Sequence, residues 1–422
     1  MFFYIDPGTG SMLFTILIGI LGAAIYAMRG LIMKARFLLS GGKQKSNSPD
    51  FIPIVFFTDS KRYETIFKPL CDEMERREQR AAYYTVSPDD PILQQTYKYI
   101  KTEFIGEGNR AFARMNLLRA NIVLSSTPGL DVYQWKRSRD VAWYVHVLHA
   151  PNDVTIYRMF GLDYFDAVMV SGEYQIEELR QLEKLRNLPE KETVLAGLPH
   201  LDALREKLLS ADPVPEHETT VLLAPSWGPS SIFNTYGSSL IDKLISTGYH
   251  IIIRPHPQTK QSEKPMLDKL MAAYPENDRL EWNFDNDNFD VLHRSDILIS
   301  DFSGVIFDFS LVFEKPIIYA DVSFDDTPYD AGWLEEKPWT FRRIDLLGKQ
   351  LTPENADSIG EMIEYCLHAN EYREGREQAR RETWVNIGHS VETISDYLIN
   401  KNRSIMEKKA QQEGKPTTAR TE

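Results

Sequence analysis

Histidine, arginine and serine side chains follow several short apolar runs of this sequence, at positions where they could contact a ligand. In "AWYVHVLHAPND", His149 ends such a run, and the following Ala150-Pro151 must leave the strand. A histidine placed there can accept a proton from a hydroxyl group near neutral pH. The alternative is a structural histidine that caps a loop, and we assign that role to His146, within the run. His149 is the candidate general base.

The stretch "HIIIRPHPQTK" is the second candidate site. Three isoleucines predict a buried strand, and Arg254, His256 and Lys260 follow it, with two prolines that stiffen the turn. An arginine offers a planar fork of donors to phosphate oxygens, and a histidine adds another donor. An ion-paired surface turn is the alternative explanation. We interpret Arg254 and His256 as candidate catalytic residues that contact an anion.

The third candidate is the polar turn from Ser300 to Gly304 in "ILISDFSGVIFDF". An apolar strand precedes it and an apolar helix pattern follows, so Ser300, Asp301 or Ser303 could simply cap the helix. A helix start with hydroxyl groups is also a phosphate site, and Gly304 would let an anion approach the backbone. Both explanations stay open, and these four residues are candidate substrate-binding residues.

Two weaker stretches, "LAGLPHLDAL" and "LLAPSWGPSS", also place turn residues after apolar runs. Ser226 in the second stretch is a further substrate-binding candidate. Ligands of open parallel sheets collect beyond the carboxyl ends of the strands. Five strand ends of this kind favour an enzyme that handles a phosphorylated ligand.

The elements that must position these residues are short strands alternating with helices, which predicts an α/β protein with two doubly wound domains and parallel sheets. The predicted strands are Ile52 to Phe57, Ala81 to Val86, Ile122 to Ser125, Ala142 to Leu148, Ala167 to Val170, Thr193 to Leu195, Val221 to Leu223, His250 to Ile253, Leu280 to Trp282, Ile297 to Ile299 and Pro316 to Tyr319. The prolines and charges of "SADPVPEHE" indicate a linker between the two series. The predicted domains are 51–215 and 216–385, followed by a helix at 386–402 and a disordered tail at 403–422.

The composition limits the partners. A net charge of −13 over 422 residues argues against nucleic acid as a binding partner. An anionic ligand would have to bind to local positively charged groups. Cys71 and Cys366 are far apart and outside any metal-ligand spacing, which predicts neither a disulfide nor a metal site. We expect no cofactor.

The N-terminus is predicted to be a membrane anchor at 1–39, followed by a polar linker at 40–50. The run "MLFTILIGILGAAIYAM" carries no charge and is just long enough to span a bilayer. Asp6 is the one charged side chain before the run and basic residues follow it, so the positive-inside rule places the remaining domains in the cytoplasm, at the inner cell membrane. A monotopic helix in the membrane interface is the alternative.

Four motifs together resemble a known family. "GLPHLDAL", "LLAPSWG", "IIIRPHP" and "ISDFSGVIFDFSLVFEKPIIY", in this order, are similar to motifs of the CDP-glycerol glycerophosphotransferases, the primases and polymerases of teichoic-acid-type polymers. The resemblance implies a GT-B fold, with two Rossmann-like domains facing a cleft, in a membrane-associated enzyme. It also implies transfer of an alditol phosphate from a CDP-linked donor to a hydroxyl group of a membrane-linked glycan or polymer, with release of CMP.

The resemblance assigns roles to residues already singled out. His149 resembles the base in the family's His-Gly-Thr motif, and Arg254 and His256 resemble contacts to the donor phosphates. The turn with Ser300, Asp301 and Ser303 is similar to the family's Thr-Asp-Tyr-Ser turn.

This sequence departs from the family pattern at three places. Ala150-Pro151 replaces Gly-Thr, the stretch "PSWG" lacks an arginine, and Gly304 stands where a second serine is common. CDP-ribitol, another CDP-alditol or a nucleotide sugar therefore stays open as the donor. A GT-B glycosyltransferase of surface polysaccharide synthesis and a catalytically silent scaffold are the alternative functions.

Overall fold

The computed structural model describes residues 51–285, 287–322 and 324–413. The fold described below is that of the compact unit that begins at Ile52. The predicted anchor and linker lie outside the described residues. Among the described helices, none is long and apolar enough to cross a membrane.

Seven parallel strands form the first sheet, in the order β3-β2-β1-β4-β5-β6-β7. They are β1 Ile52–Thr58, β2 Ala81–Thr85, β3 Ile100–Phe104, β4 Arg119–Ser125, β5 Asp140–Val147, β6 Ala167–Val170 and β7 Glu192–Leu195. The strand order reverses between β1 and β4, which leaves a crevice beyond Thr58 and Ser125 at their carboxyl ends.

Six parallel strands form the second sheet, in the order β10-β9-β8-β11-β12-β13. They are β8 Thr220–Leu223, β9 His250–Ile253, β10 Leu280–Trp282, β11 Ile297–Ser300, β12 Ile317–Ala320 and β13 Gly348–Leu351. The reversal between β8 and β11 opens a second crevice beside Ser300. Two doubly wound parallel sheets confirm the predicted α/β architecture.

Helices cover both sheets, because strands as apolar as β8 and β11 must be buried on both faces. The described helices are α1 Glu64–Arg76, α2 Gly108–Met115, α3 Glu173–Arg186, α4 Pro199–Ser210, α5 Ile232–Thr235, α6 Gly237–Ser246, α7 Thr259–Ser262, α8 Lys264–Ala273, α9 Phe289–Arg294, α10 Val305–Phe307, α11 Trp339–Arg343, α12 Ile359–His368, α13 Glu371–Thr383 and α14 Ser390–Glu413. Helix α10 continues as a π-helical turn over Asp308–Val312.

Helix α14 returns to the first sheet, where Ile394 and Leu398 are buried in the same apolar cluster as Phe56. It is longer than predicted: residues 403–413 are helical, and the prediction of disorder there was wrong. The extension is held by Asn121 at the start of β4, whose amide donates to the Asn402 side chain at 2.7 Å and whose oxygen accepts from Lys409 at 2.7 Å.

One apolar cluster is shared by the two sheets. It contains Val123 of the first sheet, Leu298 of the second, and Leu201 of α4 and Phe309 of the π-helical turn. The two carboxyl-end crevices are therefore fixed relative to each other by a common core.

Candidate active site

A cavity of about 440 Å³ lies between the carboxyl ends of the two sheets. Its lining residues are Arg62, Tyr63, Thr65, Ile66, His149, Ala150, Asn152, His200, Ala224, Pro225, Arg254, Pro255, His256, Pro257, Asn288, Ser303, Gly304, Val305 and Asp308. Among these described residues the one carboxylate belongs to Asp308, which is paired with His200 at 3.1 Å. Arg62 and Arg254 add positive charge, so the cavity suits an anion although the whole chain is acidic.

Five of the predicted site residues meet in this cavity: His149, Arg254, His256, Ser303 and Gly304. The first comes from the end of β5, the next two follow β9, and the last two follow β11. They are far apart in sequence, and the carboxyl ends of the strands bring them together. Their individual roles stay predictions.

Three predicted substrate-binding residues, Ser226, Ser300 and Asp301, are buried and do not line the cavity. The Ser300 hydroxyl donates to the Ala224 carbonyl at 2.6 Å. The Asp301 carboxylate accepts from the backbone N–H groups of Ser226 at 2.9 Å and Ile232 at 3.1 Å. Burial raises the pKa of Asp301, although these N–H groups oppose the shift. In this geometry the three residues hold the loop after β8 against β11.

Two polar partners fix the Arg254 side chain. Its guanidinium donates to the Asn283 side chain and, at 2.7 Å, to the Asp285 carbonyl. Burial lowers the pKa of Arg254, while the nearby carboxylates of Asp285 and Asp287 act in the opposite direction. An arginine held in this way presents its remaining N–H groups to the cavity without losing side-chain entropy on binding.

His256 is oriented by the backbone. Its Nδ1 accepts the N–H of Gln258 at 3.1 Å, so a neutral His256 carries its proton on Nε2. Burial, with a smaller contribution from Arg62, lowers the pKa of His256 to about 4. The ring is therefore neutral at physiological pH, and its Nε2–H is available as a donor to a ligand oxygen.

His149 is partly buried beside Tyr63, with 5.2 Å between the ring centroids. Burial, together with the charges of His200 and Arg62, lowers the pKa of His149 to about 4. An unprotonated imidazole is the form that can accept a proton. Its Nδ1 lies 3.4 Å from the Tyr157 hydroxyl.

His200 is a site residue that the sequence alone did not identify. Its Nε2 is 3.1 Å from Asp308 Oδ1 and its Nδ1 is 2.8 Å from the Thr65 hydroxyl. Burial opposes protonation, but the Asp308 carboxylate outweighs it and raises the pKa of His200. The available signal was the histidine in "GLPHLDAL". Its acidic partner is in the π-helical turn of the other domain, and a linear motif does not show that contact.

The two sides of the cleft come close at Gly304. A Cβ atom at this position would lie 3.5 Å from Asn152 Oδ1 and 3.7 Å from Ala150 Cβ. Asn152 Oδ1 is buried and makes no hydrogen bond to the described residues. The turn after β11 therefore packs directly against the loop that follows His149.

Taken together, the arrangement offers a neutral imidazole on one side and a set of N–H and guanidinium donors on the other. Such a site can take a proton from a hydroxyl group while it stabilises negative charge on phosphate oxygens. Within the described part of the chain, no group of three His, Cys, Asp or Glu side chains could hold a metal ion.

Comparison of the sequence with models of known protein families identifies one family. The sequence pattern of the family described as CDP-Glycerol:Poly(glycerophosphate) glycerophosphotransferase matches residues 161–396, which is more than half of the chain. Arg254, His256 and the turn at Ser303 fall within the match, whereas His149 precedes it. No curated protein matches the chain by sequence.

Solved structures show the same fold. The wall teichoic acid polymerase TagF, in a variant soaked with CDPG, has 15% identity and a TM-score of 0.56, over 91% of this chain and 99% of that chain. The UDP-GlcNAc 2-epimerase of Methanocaldococcus jannaschii, in complex with UDP-GlcNAc and UDP, has 12% identity and a TM-score of 0.53, over 83% of this chain and 100% of that chain. At such identities the likeness establishes the GT-B-like fold and nothing finer.

Proposed function

The chain belongs to the CDP-glycerol:poly(glycerophosphate) glycerophosphotransferase family, and we propose that the cavity between its two sheets is where the family's transfer reaction takes place. As the sequence predicted, it is a transferase that uses a CDP-linked alditol phosphate donor, and the family makes glycerol phosphate the group that we expect it to transfer. The observation that carries the proposal is the meeting of His149 with Arg254, His256 and Ser303 in one cavity.

On the donor side, the pyrophosphate lies against Arg254 and Ser303. Arg254 is already fixed by Asn283 and Asp285, so its N–H groups are preorganised for phosphate oxygens. His256 adds an Nε2–H donor, and His200, paired with Asp308, lines the same cavity. Loss of one such donor is expected to reduce the rate by about 10²-fold.

On the acceptor side, His149 takes the proton of the attacking hydroxyl group. The hydroxyl oxygen forms a bond to the distal phosphorus of the donor, while the bond from that phosphorus to the bridging oxygen breaks in line. CMP leaves with the electron pair of that bond. Positioning and charge stabilisation supply most of the acceleration in phosphoryl transfer, so the fixed geometry matters more than base strength.

The decisive experiment is to measure nucleotide release with CDP-glycerol, CDP-ribitol and a panel of nucleotide sugars. We expect CMP release from a CDP-alditol, and we expect His149→Ala to abolish it while the calorimetric affinity for CDP-glycerol changes by less than about 3-fold. His368→Ala, at an exposed histidine on α12, is the matched control and should be unaffected.

Three results would contradict this function. Full turnover by His149→Ala would remove the base assignment. Release of UDP or GDP from a nucleotide sugar would instead support the glycosyltransferase alternative. Failure to bind any nucleotide would support the silent scaffold.

We also propose that the uncharged run from Met12 to Met28 attaches the enzyme to the inner membrane, with the catalytic domains on the cytoplasmic side, where they act on a membrane-linked polymer. The support is the length of the run and the basic residues that follow it. We expect the full chain to stay with membranes after alkaline carbonate washing. Complete release into the wash would contradict a spanning segment.

A further inference from the structure

Behind His149 lie two polar groups, Tyr157 and His146, that the proposed mechanism does not use. His146 Nε2 is 3.1 Å from the Tyr157 hydroxyl, and the same hydroxyl is 3.4 Å from His149 Nδ1. His146 is on β5 and Tyr157 is in the loop that follows the strand. The hydroxyl group thus bridges the two imidazoles on the side of His149 that faces away from Nε2.

His146 is difficult to explain as a packing residue. It is fully buried, its ring meets Phe165 at 5.0 Å and Tyr157 at 5.3 Å, and its Nδ1 has no hydrogen-bond partner among the described residues. A buried polar atom without a partner is costly, and an apolar side chain would fill the same space without that cost. The hydrogen bond to Tyr157 is the one contact there that requires an imidazole.

We infer that Tyr157, supported by His146, is a positioning residue that selects the tautomer of His149; this inference rests on the proposed function. His149 Nε2 makes no hydrogen bond to the described residues, and it can act as a base only if the ring proton is on Nδ1. The Tyr157 oxygen accepts that Nδ1–H, and its own O–H donates to His146 Nε2. His146 then keeps its proton on Nδ1.

The other groups around His149 do not select a tautomer. Tyr63 contacts the ring of His149 through its own ring, with the two planes tilted by 53°, and makes no hydrogen bond to it. The charges of His200, Arg62 and Asp308 act on protonation of the ring as a whole. A charge changes how readily the ring binds a second proton, whereas a hydrogen bond to one nitrogen decides which nitrogen holds the first. Tyr157 is the described residue that makes such a bond.

The test is Tyr157→Phe, which removes the hydroxyl group and keeps the ring. We expect kcat with CDP-glycerol to fall about 10- to 100-fold while KM for the donor changes by less than about 2-fold, because donor binding is on the opposite sheet. By ¹⁵N NMR of the His149 ring, assigned by comparison with His149→Ala, we expect the Nδ1–H tautomer in the native enzyme and a shift toward Nε2–H in the variant. Tyr274→Phe is the matched control, since it removes a hydroxyl bonded to Asp242 on the far side of the second sheet.

A second variant covers the case in which Tyr157→Phe does not fold. His146→Leu removes the imidazole that supports Tyr157 and should change kcat and the tautomer in the same direction. The inference fails if the native enzyme shows the Nε2–H tautomer, or if a folded variant keeps both its tautomer and its kcat. Full turnover by His149→Ala would instead refute the proposed function, and the NMR measurement separates the two outcomes because it does not depend on turnover.

Discussion

At the scale of single residues, two departures from the family pattern lie against each other. In the motif resemblance, Ala150 replaces a glycine, and Gly304 stands where a second serine is common. A Cβ on Gly304 would be in van der Waals contact with Ala150 Cβ, at 3.7 Å. The two altered positions therefore lie in contact across the cleft, although they are far apart in the sequence.

This juxtaposition predicts how the two positions interact. Gly304→Ser places a Cβ in ordinary contact with Ala150 and Asn152 and adds an oxygen beyond it, and we expect kcat to fall about 10-fold. Adding Ala150→Gly should restore most of the lost kcat, because removal of the Ala150 methyl group makes room for the serine side chain. Steady-state kinetics of the two single variants and the double variant measure the coupling.

The control for this cycle is Gly360→Ser, a helical glycine on α12 that faces Thr247 and no cavity residue. It should leave kcat unchanged. If the Gly304 and Ala150 effects simply multiply, the two positions do not compensate each other.

At the scale of elements, the sequence is informative wherever a strand is buried on both faces. Strands β8, β9 and β11 each contain three consecutive Val, Leu or Ile residues, which end at Leu223, Ile253 and Ile299. The carboxyl ends of these strands, and the polar residues beyond them, could therefore be located. Two edge strands were missed. β3, "IKTEF", and β13, "GKQL", are polar and partly exposed, and an edge strand needs no continuous apolar run.

The parts of the site that could not be predicted depend on contacts between distant elements. His200 on α4 meets Asp308 in the π-helical turn, and the apolar spacing of "VIFDFSLVF" gives no sign that this aspartate points into the cleft. The same holds for Tyr157, which is on a loop without a periodic pattern. Motifs identify strand ends, whereas pairings across the cleft depend on how the two sheets are packed.

At the scale of the whole molecule, several contacts join the two sheet domains besides the shared apolar core. The Asp153 carboxylate accepts the Thr340 N–H at 2.9 Å, and so caps α11 from the other domain. Arg158 and Tyr329 form an antiparallel bridge, and Arg186 forms a buried ion pair with Asp330. His149 lies four residues before Asp153, so the position of the candidate base depends on the docking of the two domains.

These contacts predict that both sheet domains unfold as one cooperative unit. In scanning calorimetry we expect one transition for them, with equal calorimetric and van't Hoff enthalpies. Asp153→Ala leaves the first N–H groups of α11 without an acceptor, so it should destabilise the unit by about 2 kcal/mol and lower its Tm. Asp268→Ala, which breaks an exposed pair with Lys264, should cost less than about 0.5 kcal/mol. Two separate transitions, with Asp153→Ala shifting one or neither, would show that the domains fold independently and that the base is not held by their docking.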